Sequence, residues 1–151
     1  MKSHDKRSLV ARQPEDIAPR EKALLCAKLA LEKKALGMTV LEIGELSSIA
    51  EYFVICSGRS VRQTRAIAEH VQTRMKAKVR QIPLGVEGMQ EGIWILLDYD
   101  DVIIHVFYEP TRELYSLEKL WSDAPAVRDP EIDRAQEDSP QGSEESSDWE
   151  D

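Results

Sequence analysis

The chain predicts an α/β (α+β) fold: a mixed sheet of about five strands flanked by helices. Three observations carry this. EYFVICS (51–57) is apolar on both faces, as in a strand covered on two sides. The stretch from Val61 to Lys76 repeats its apolar residues at helical spacing. IWILL (93–97) and VIIHVF (102–107) are strand-like runs joined by the short acidic stretch Asp98–Tyr99–Asp100–Asp101, as in a hairpin.

The elements follow in order. Pro19 suits the first turn of a helix, in which Leu24, Leu25, Leu29, Leu31 and Leu36 allow an apolar stripe and Gly37 is the stop. MTVLEI (38–43) reads as a short strand. In EYFVICS, Phe53 and Ile55 share one face, while Tyr52, Val54 and Cys56 share the other; Gly58 ends it. Ser60 with Gln63 three residues later forms a capping-box pattern. The following helix buries Thr64, Ile67, Ala68, Val71 and Met75 and shows Arg62, Arg65, Glu69, Gln72 and Lys76 outward. KVRQIPL (78–84) reads as an edge strand, because Pro83 lacks a ladder donor, and GVEGMQEG (85–92) as a loop. After the hairpin, Pro110 closes the strand pattern. Thr111 then caps a last helix, with Leu114, Leu117, Leu120 and Trp121 as its apolar side.

Composition narrows the function classes. Of 151 residues, 42% are hydrophobic and 32% charged, as in a globular domain. No apolar stretch is long enough to span a bilayer, and the basic N-terminus lacks the apolar core of a signal peptide. Two unpaired-motif cysteines, Cys26 and Cys56, fit a reduced, cytoplasmic protein. The net charge of −8 is uneven: residues 122–151 carry eleven acidic and two basic residues, and the first 121 residues sum to +1. That balance argues against phosphate-driven nucleic-acid binding by the body, and no sequence-specific nucleic-acid contact is expected.

Chemical motifs are sparse. Asp98, Asp100 and Asp101 are explained by turn chemistry, and a hard-cation site would want further carboxylates. SGRS (57–60), between a strand and a helix, resembles the strand–GS–helix element of nucleotidyltransferases, but only Glu69 stands where a metal-binding carboxylate pair would be needed. A metal-dependent nucleotidyl or phosphoryl transferase using Ser57–Ser60 and the Asp98–Asp101 carboxylates is the alternative to a binding protein. His105, aligned with Ile103 and Phe107, reads as a hydrogen-bonded structural histidine; His4 and His70 offer no ligand spacing with it. No catalytic residue, metal site or cofactor is assigned.

Three blocks, EYFVICSGRSVRQTRAIAEHV, GVEG followed by GIWILLDYDDVIIHVF, and RELYSLEKLW, are similar to the bacterial ribosomal silencing factor (iojap-related) family in order and spacing. The resemblance implies a nucleotidyltransferase-like sandwich without that activity, and a homodimer in the free state. It implies binding to the large ribosomal subunit through its ribosomal protein fourteen, which blocks small-subunit joining and represses translation under nutrient limitation. Trp94, Leu96, Asp98, Tyr99, Asp101, Val102 and His105 match the family's distinctive surface and are the partner-binding candidates. Gly58, Ser60, Arg112, Tyr115, Leu117 and Trp121 match its structural motifs. The family has glycine after the D-Y pair where this chain has Asp100, a position that would suit positive φ. The expected organisation is a flexible arm (1–18), a ribosomal silencing factor domain (19–122) and a disordered acidic tail (123–151).

Overall fold

A computed structural model describes residues 16–137. Helix α1 (Pro19–Leu31) leads into strand β1 (Leu36–Glu42), then β2 (Tyr52–Gly58), helix α2 (Val61–Val79), and strands β3 (Gly85–Glu87), β4 (Trp94–Asp98) and β5 (Val102–Tyr108). Three short helices follow: α3 (Glu109–Tyr115), α4 (Leu117–Leu120) and α5 (Pro130–Glu137). The five strands form one mixed sheet in the order β1-β2-β5-β4-β3. Only β2 and β5 run parallel; the other neighbours are antiparallel. The expected α+β class and hairpin are observed.

The sheet separates two cores. On one face Val54, Cys56, Ile95, Leu97, Val102, Ile104 and Val106 pack beneath α1 and α2. On the other, Leu41, Ile43, Phe53, Ile55 and Phe107 meet Leu117 and Ala124. The alternation foreseen in β2 holds residue by residue: Phe53 and Ile55 face one core, Tyr52, Val54 and Cys56 the other.

Helix α2 buries the five positions its spacing marks, Thr64, Ile67, Ala68, Val71 and Met75. Ser60 Oγ accepts from Gln63 N–H at 3.1 Å. The Gln63 side chain reaches one residue further back than a standard capping box, accepting from Arg59 N–H at 2.7 Å.

Several expectations are corrected. The buried seam of α1 is not its leucine stripe but Ala23, Cys26, Ala27, Leu29 and Ala30, with Lys22. Small residues let the helix lie close to the sheet, and Leu24, Leu25 and Leu31 flank that seam. Gly37 belongs to β1 at φ +54 rather than ending the helix, and a Cβ there would stand 2.9 Å from Arg112 Nη1. KVRQIPL is not a strand: α2 continues through Val79, and β3 lies in the glycine segment instead. Leu84 N–H already bonds to Asp98 O (2.7 Å), so pairing starts only where Pro83 is past. Pro110 sits in the first turn of α3, and Thr111 is inside the helix rather than capping it. The single terminal helix is broken at Ser116, which adopts φ +48. That break rotates Leu117 inward and leaves Leu114 and Leu120 exposed.

The boundary at Ser122 also moves. Residues 123–137 lie against the body, with Ala124 and Ile132 buried. Glu42 N–H bonds to Pro125 O (2.9 Å) and Val127 N–H to Val40 O (2.8 Å). Met38 N–H donates to Gln136 Oε1 at 2.8 Å. These bonds occupy the outer edge of β1, and the few apolar residues among the charges suffice to hold the segment there. The expected arm (1–18) and the remainder of the tail lie largely outside the described residues.

Candidate functional site

Two regions attract attention, the β4–β5 turn and the sheet face beside it. In the turn, Asp98 Oδ1 accepts from Asp100 N–H at 2.8 Å, and Tyr99 N–H bonds to Val102 O at 2.9 Å. Asp100 adopts φ +76, the left-handed region that glycine occupies without strain. Tyr99, expected at an exposed tip, is instead buried beneath α1, 2% exposed. Burial pushes its phenol pKa up. Val102 is fully buried on the same side.

Asp101 is held by Lys22, whose Nζ lies 2.6 Å from Asp101 Oδ1 and donates to Tyr99 O at 3.1 Å. Asp101 O accepts from Glu51 and Tyr52 N–H groups. Asp101 thus ties α1 to the turn through its carboxylate and β2 through its backbone carbonyl, leaving Asp98 and Asp100 as the turn's acidic groups without a cation partner among the described residues. Lys22 was not foreseen as its partner. No local signal marks it: the seam it shares with Cys26, one helical turn on, shows only in the fold.

Register places Trp94, Leu96 and Asp98 opposite Phe107, His105 and Ile103, so all six share one sheet face. Trp94 Nε1–H donates to His105 Nδ1 at 3.1 Å. That bond fixes the neutral imidazole with its proton on Nε2. Burial pushes the His105 pKa down to about 4, so at neutral pH it is an uncharged structural group. Rings run across the face: Tyr115 lies 5.1 Å from Trp94, Trp94 4.8 Å from Phe107, His105 4.6 Å from Phe53, and Phe53 5.4 Å from Trp121.

This face is only partly covered. Trp94, Leu96, Ile103 and Trp121 are half-buried, and the rim carries exposed Tyr115 against Trp94. Of the seven partner-binding candidates, the fold brings Trp94, Leu96, Asp98 and His105 together here. Tyr99 and Val102 go to the opposite core and Asp101 to the Lys22 pair. Ile103 belongs to the surface but was not singled out; its alternation with His105 was the available signal.

Arg112 organises the neighbouring end of the sheet. It donates to Ser57 Oγ (2.9 Å), Thr39 Oγ1 (3.4 Å) and Glu118 Oε2, joining β1, β2 and α3 to α4. Burial alone would raise the Glu118 pKa, but hydrogen bonding and charge from Arg112 outweigh it and hold the carboxyl low. A shallow cleft of about 370 Å³ is lined by Arg112, Ser57, Glu109 and Glu118.

The transferase alternative fails on geometry. β2 and β5 pair from Tyr52↔Val102 to Gly58↔Tyr108, so the acidic turn and the SGRS loop occupy opposite ends of the strands. Six residue steps separate them by about 20 Å. Ser57 and Ser60 are already engaged, with Arg112 and the α2 cap respectively. Gly58 has a packing role: a Cβ there would meet Thr64 Cγ2 at 3.0 Å.

The sequence model of a family described as "Ribosomal silencing factor during starvation" matches residues 16–151. The ribosomal silencing factor RsfS of Bacillus subtilis is 39% identical over 94 residues, 62% of this chain and 79% of that protein. A mouse protein named "Mitochondrial assembly of ribosomal large subunit protein 1" is 31% identical, over 65% of this chain and 44% of its own. A crystal structure from Chromobacterium violaceum superimposes with a TM-score of 0.67 at 28% identity, covering 70% of this chain and 88% of that one. Agreement of family, relatives and fold means that the chain belongs to the RsfS family of ribosomal silencing factors.

Proposed function

We propose that this protein docks on the large ribosomal subunit through ribosomal protein fourteen, blocks joining of the small subunit and so represses translation under nutrient limitation. The docking surface in this reading is the open sheet face. One observation carries it: Trp94, Leu96 and Ile103 form a half-buried apolar strip beside exposed Tyr115. Such a rimmed patch on a small domain marks a protein contact. Its partly covered aromatic residues are the type that anchor interfaces. The mouse relative is named for assembly of the ribosomal large subunit, which supports the large-subunit connection.

The protein acts in the cytoplasm, where ribosomes are its targets; no helix among the described residues is long and apolar enough to cross a membrane. When free it is a homodimer. The role is one of steric obstruction, which needs surface complementarity and no reaction, metal or cofactor. Asp98 and Asp100 border the apolar strip and suit a basic protein partner.

A binding titration with purified ribosomal protein fourteen tests the reading. Leu96→Asp places a charge in the strip and is expected to weaken binding at least about 30-fold, the range of an interface anchor. Asp123→Lys, on the exposed segment after Trp121, serves as the control. Equal affinity of folded Leu96→Asp and the unaltered protein would reject this surface.

A further inference from the structure

Charge on this molecule is segregated in space. From Arg59 to Arg80 there are seven basic residues and one acidic, Glu69, a net of +6. The other 100 described residues carry nine basic and nineteen acidic, a net of −10. Residues 16–137 thus sum to −4 and residues 1–121 to +1, and both totals hide a cationic side, built on α2, and an acidic remainder. The expectation that the body would not attract phosphates rested on the second total.

Gln63 gathers the densest part. Its Nε2 donates to Lys33 O at 3.2 Å and Lys34 O at 3.0 Å, while its Oε1 accepts from Arg59 N–H. One side chain thus pins the α1–β1 turn to the start of α2. Lys33, Lys34 and Arg62 are all exposed there, next to Arg59. Lys34 holds φ +62 to make this turn. Along α2, exposed Lys76 and Lys78 continue the charge about 21 Å from Arg62 at 1.5 Å per residue. Arg65 adds its charge while its guanidinium donates to Met89 O and Gln90 O. Among the described residues, no carboxylate pairs with Lys33, Lys34, Arg62, Lys76 or Lys78.

We infer that this α2 side is a docking surface for the phosphate backbone of RNA, separate from the open sheet face. Unpaired, exposed cations spread along a rigid helix suit a polyanion read by charge rather than by base sequence. The sheet face lies across the sheet from α2, so one molecule has room for a protein partner and an RNA partner together. Only the choice of ribosomal RNA as the natural ligand rests on the proposed function.

The test is fluorescence anisotropy of the full chain with a labelled 20-base-pair RNA hairpin across a potassium chloride series. Binding is expected to fall linearly with log salt. Lys33→Glu/Lys34→Glu/Arg62→Glu is expected to lower affinity at least about tenfold at low salt and to reduce the slope by about two to three. Lys76→Glu/Lys78→Glu should act in the same direction, and both variants should melt like the unaltered chain. Absence of hairpin binding, or equal binding by both folded variants, overturns the inference. So does failure to bind the hairpin combined with capture of a synthetic peptide of residues 138–151, which holds six acidic residues and no basic one; the acidic tail would then be the occupant. The hairpin assay contains no ribosomal protein, so its failure leaves the proposed function standing. Failure of Leu96→Asp to affect ribosomal protein fourteen leaves this inference standing.

Discussion

The two faces of the sheet are built from similar residues but finished differently. Beneath α1 and α2, Ile104, Val106, Ile95 and Leu97 are wholly enclosed. Across the sheet, Phe53, Ile55 and Phe107 are enclosed too, but Trp94, Leu96 and Ile103 remain half-covered because α3 and α4 are short and split at Ser116. One face spends its apolar area on folding. In the proposed docking, the other keeps part of it for a partner.

That contrast can be broken by mutation. Ile104→Ala opens a cavity in the closed core and is expected to cost about 4 kcal/mol, whereas Leu96→Ala on the open face should cost about 1 kcal/mol. Chemical denaturation measures both, and equal losses would mean that the faces are equally packed. The next effect is pH-dependent. His105 has its pKa pushed down by burial from 6.5 to about 4, so the unfolded chain binds the extra proton between those values. Stability therefore rises with pH from about 4 to 6.5, is fully present above that window, and falls as pH drops through it. The span is on the order of 3 kcal/mol. His105→Gln should flatten that portion of a stability–pH curve.

Smaller effects sharpen the role of the turn. Lys22→Met leaves the Asp101 carboxylate without its cation and is expected to destabilise by about 2 kcal/mol. Leaving subunit binding intact in that variant, once folded, would separate the Asp101 pair from the docking surface. Asp100→Gly relieves the left-handed backbone and should stabilise by about 0.5 kcal/mol, read as a small rise in melting temperature.

Much of this was legible in the chain. The period of α2 gave its five buried residues, and the alternation in β2 gave both core assignments, because regular elements impose fixed spacings on burial. The positive φ of Asp100 was implied by the family resemblance, which has glycine at that position. Contacts between distant segments were not legible. Nothing local marks Lys22 as the partner of Asp101, 79 positions away, and so Tyr99 was expected outside rather than beneath α1. Ser116 breaks a helix whose leucine spacing looks continuous, which misassigned Leu114 and Leu120. Ala124, Val127 and Ile132 were too few among charges to signal docking, yet backbone pairing with β1 supplies what their apolar area lacks. Net charge is silent for a different reason: an average carries no information about where charges sit, and the seven basic residues from Arg59 to Arg80 disappear in it.

Subunit joining puts the open face to the most direct test. Purified large subunits are incubated with the unaltered chain or with Leu96→Asp, small subunits are added, and joined ribosomes are separated on a sucrose gradient. The expected result is that the unaltered chain travels with large subunits and depletes joined ribosomes, while the folded variant does neither. Depletion by both proteins alike would contradict docking through this face, and joining undisturbed by the unaltered chain would contradict the silencing role itself.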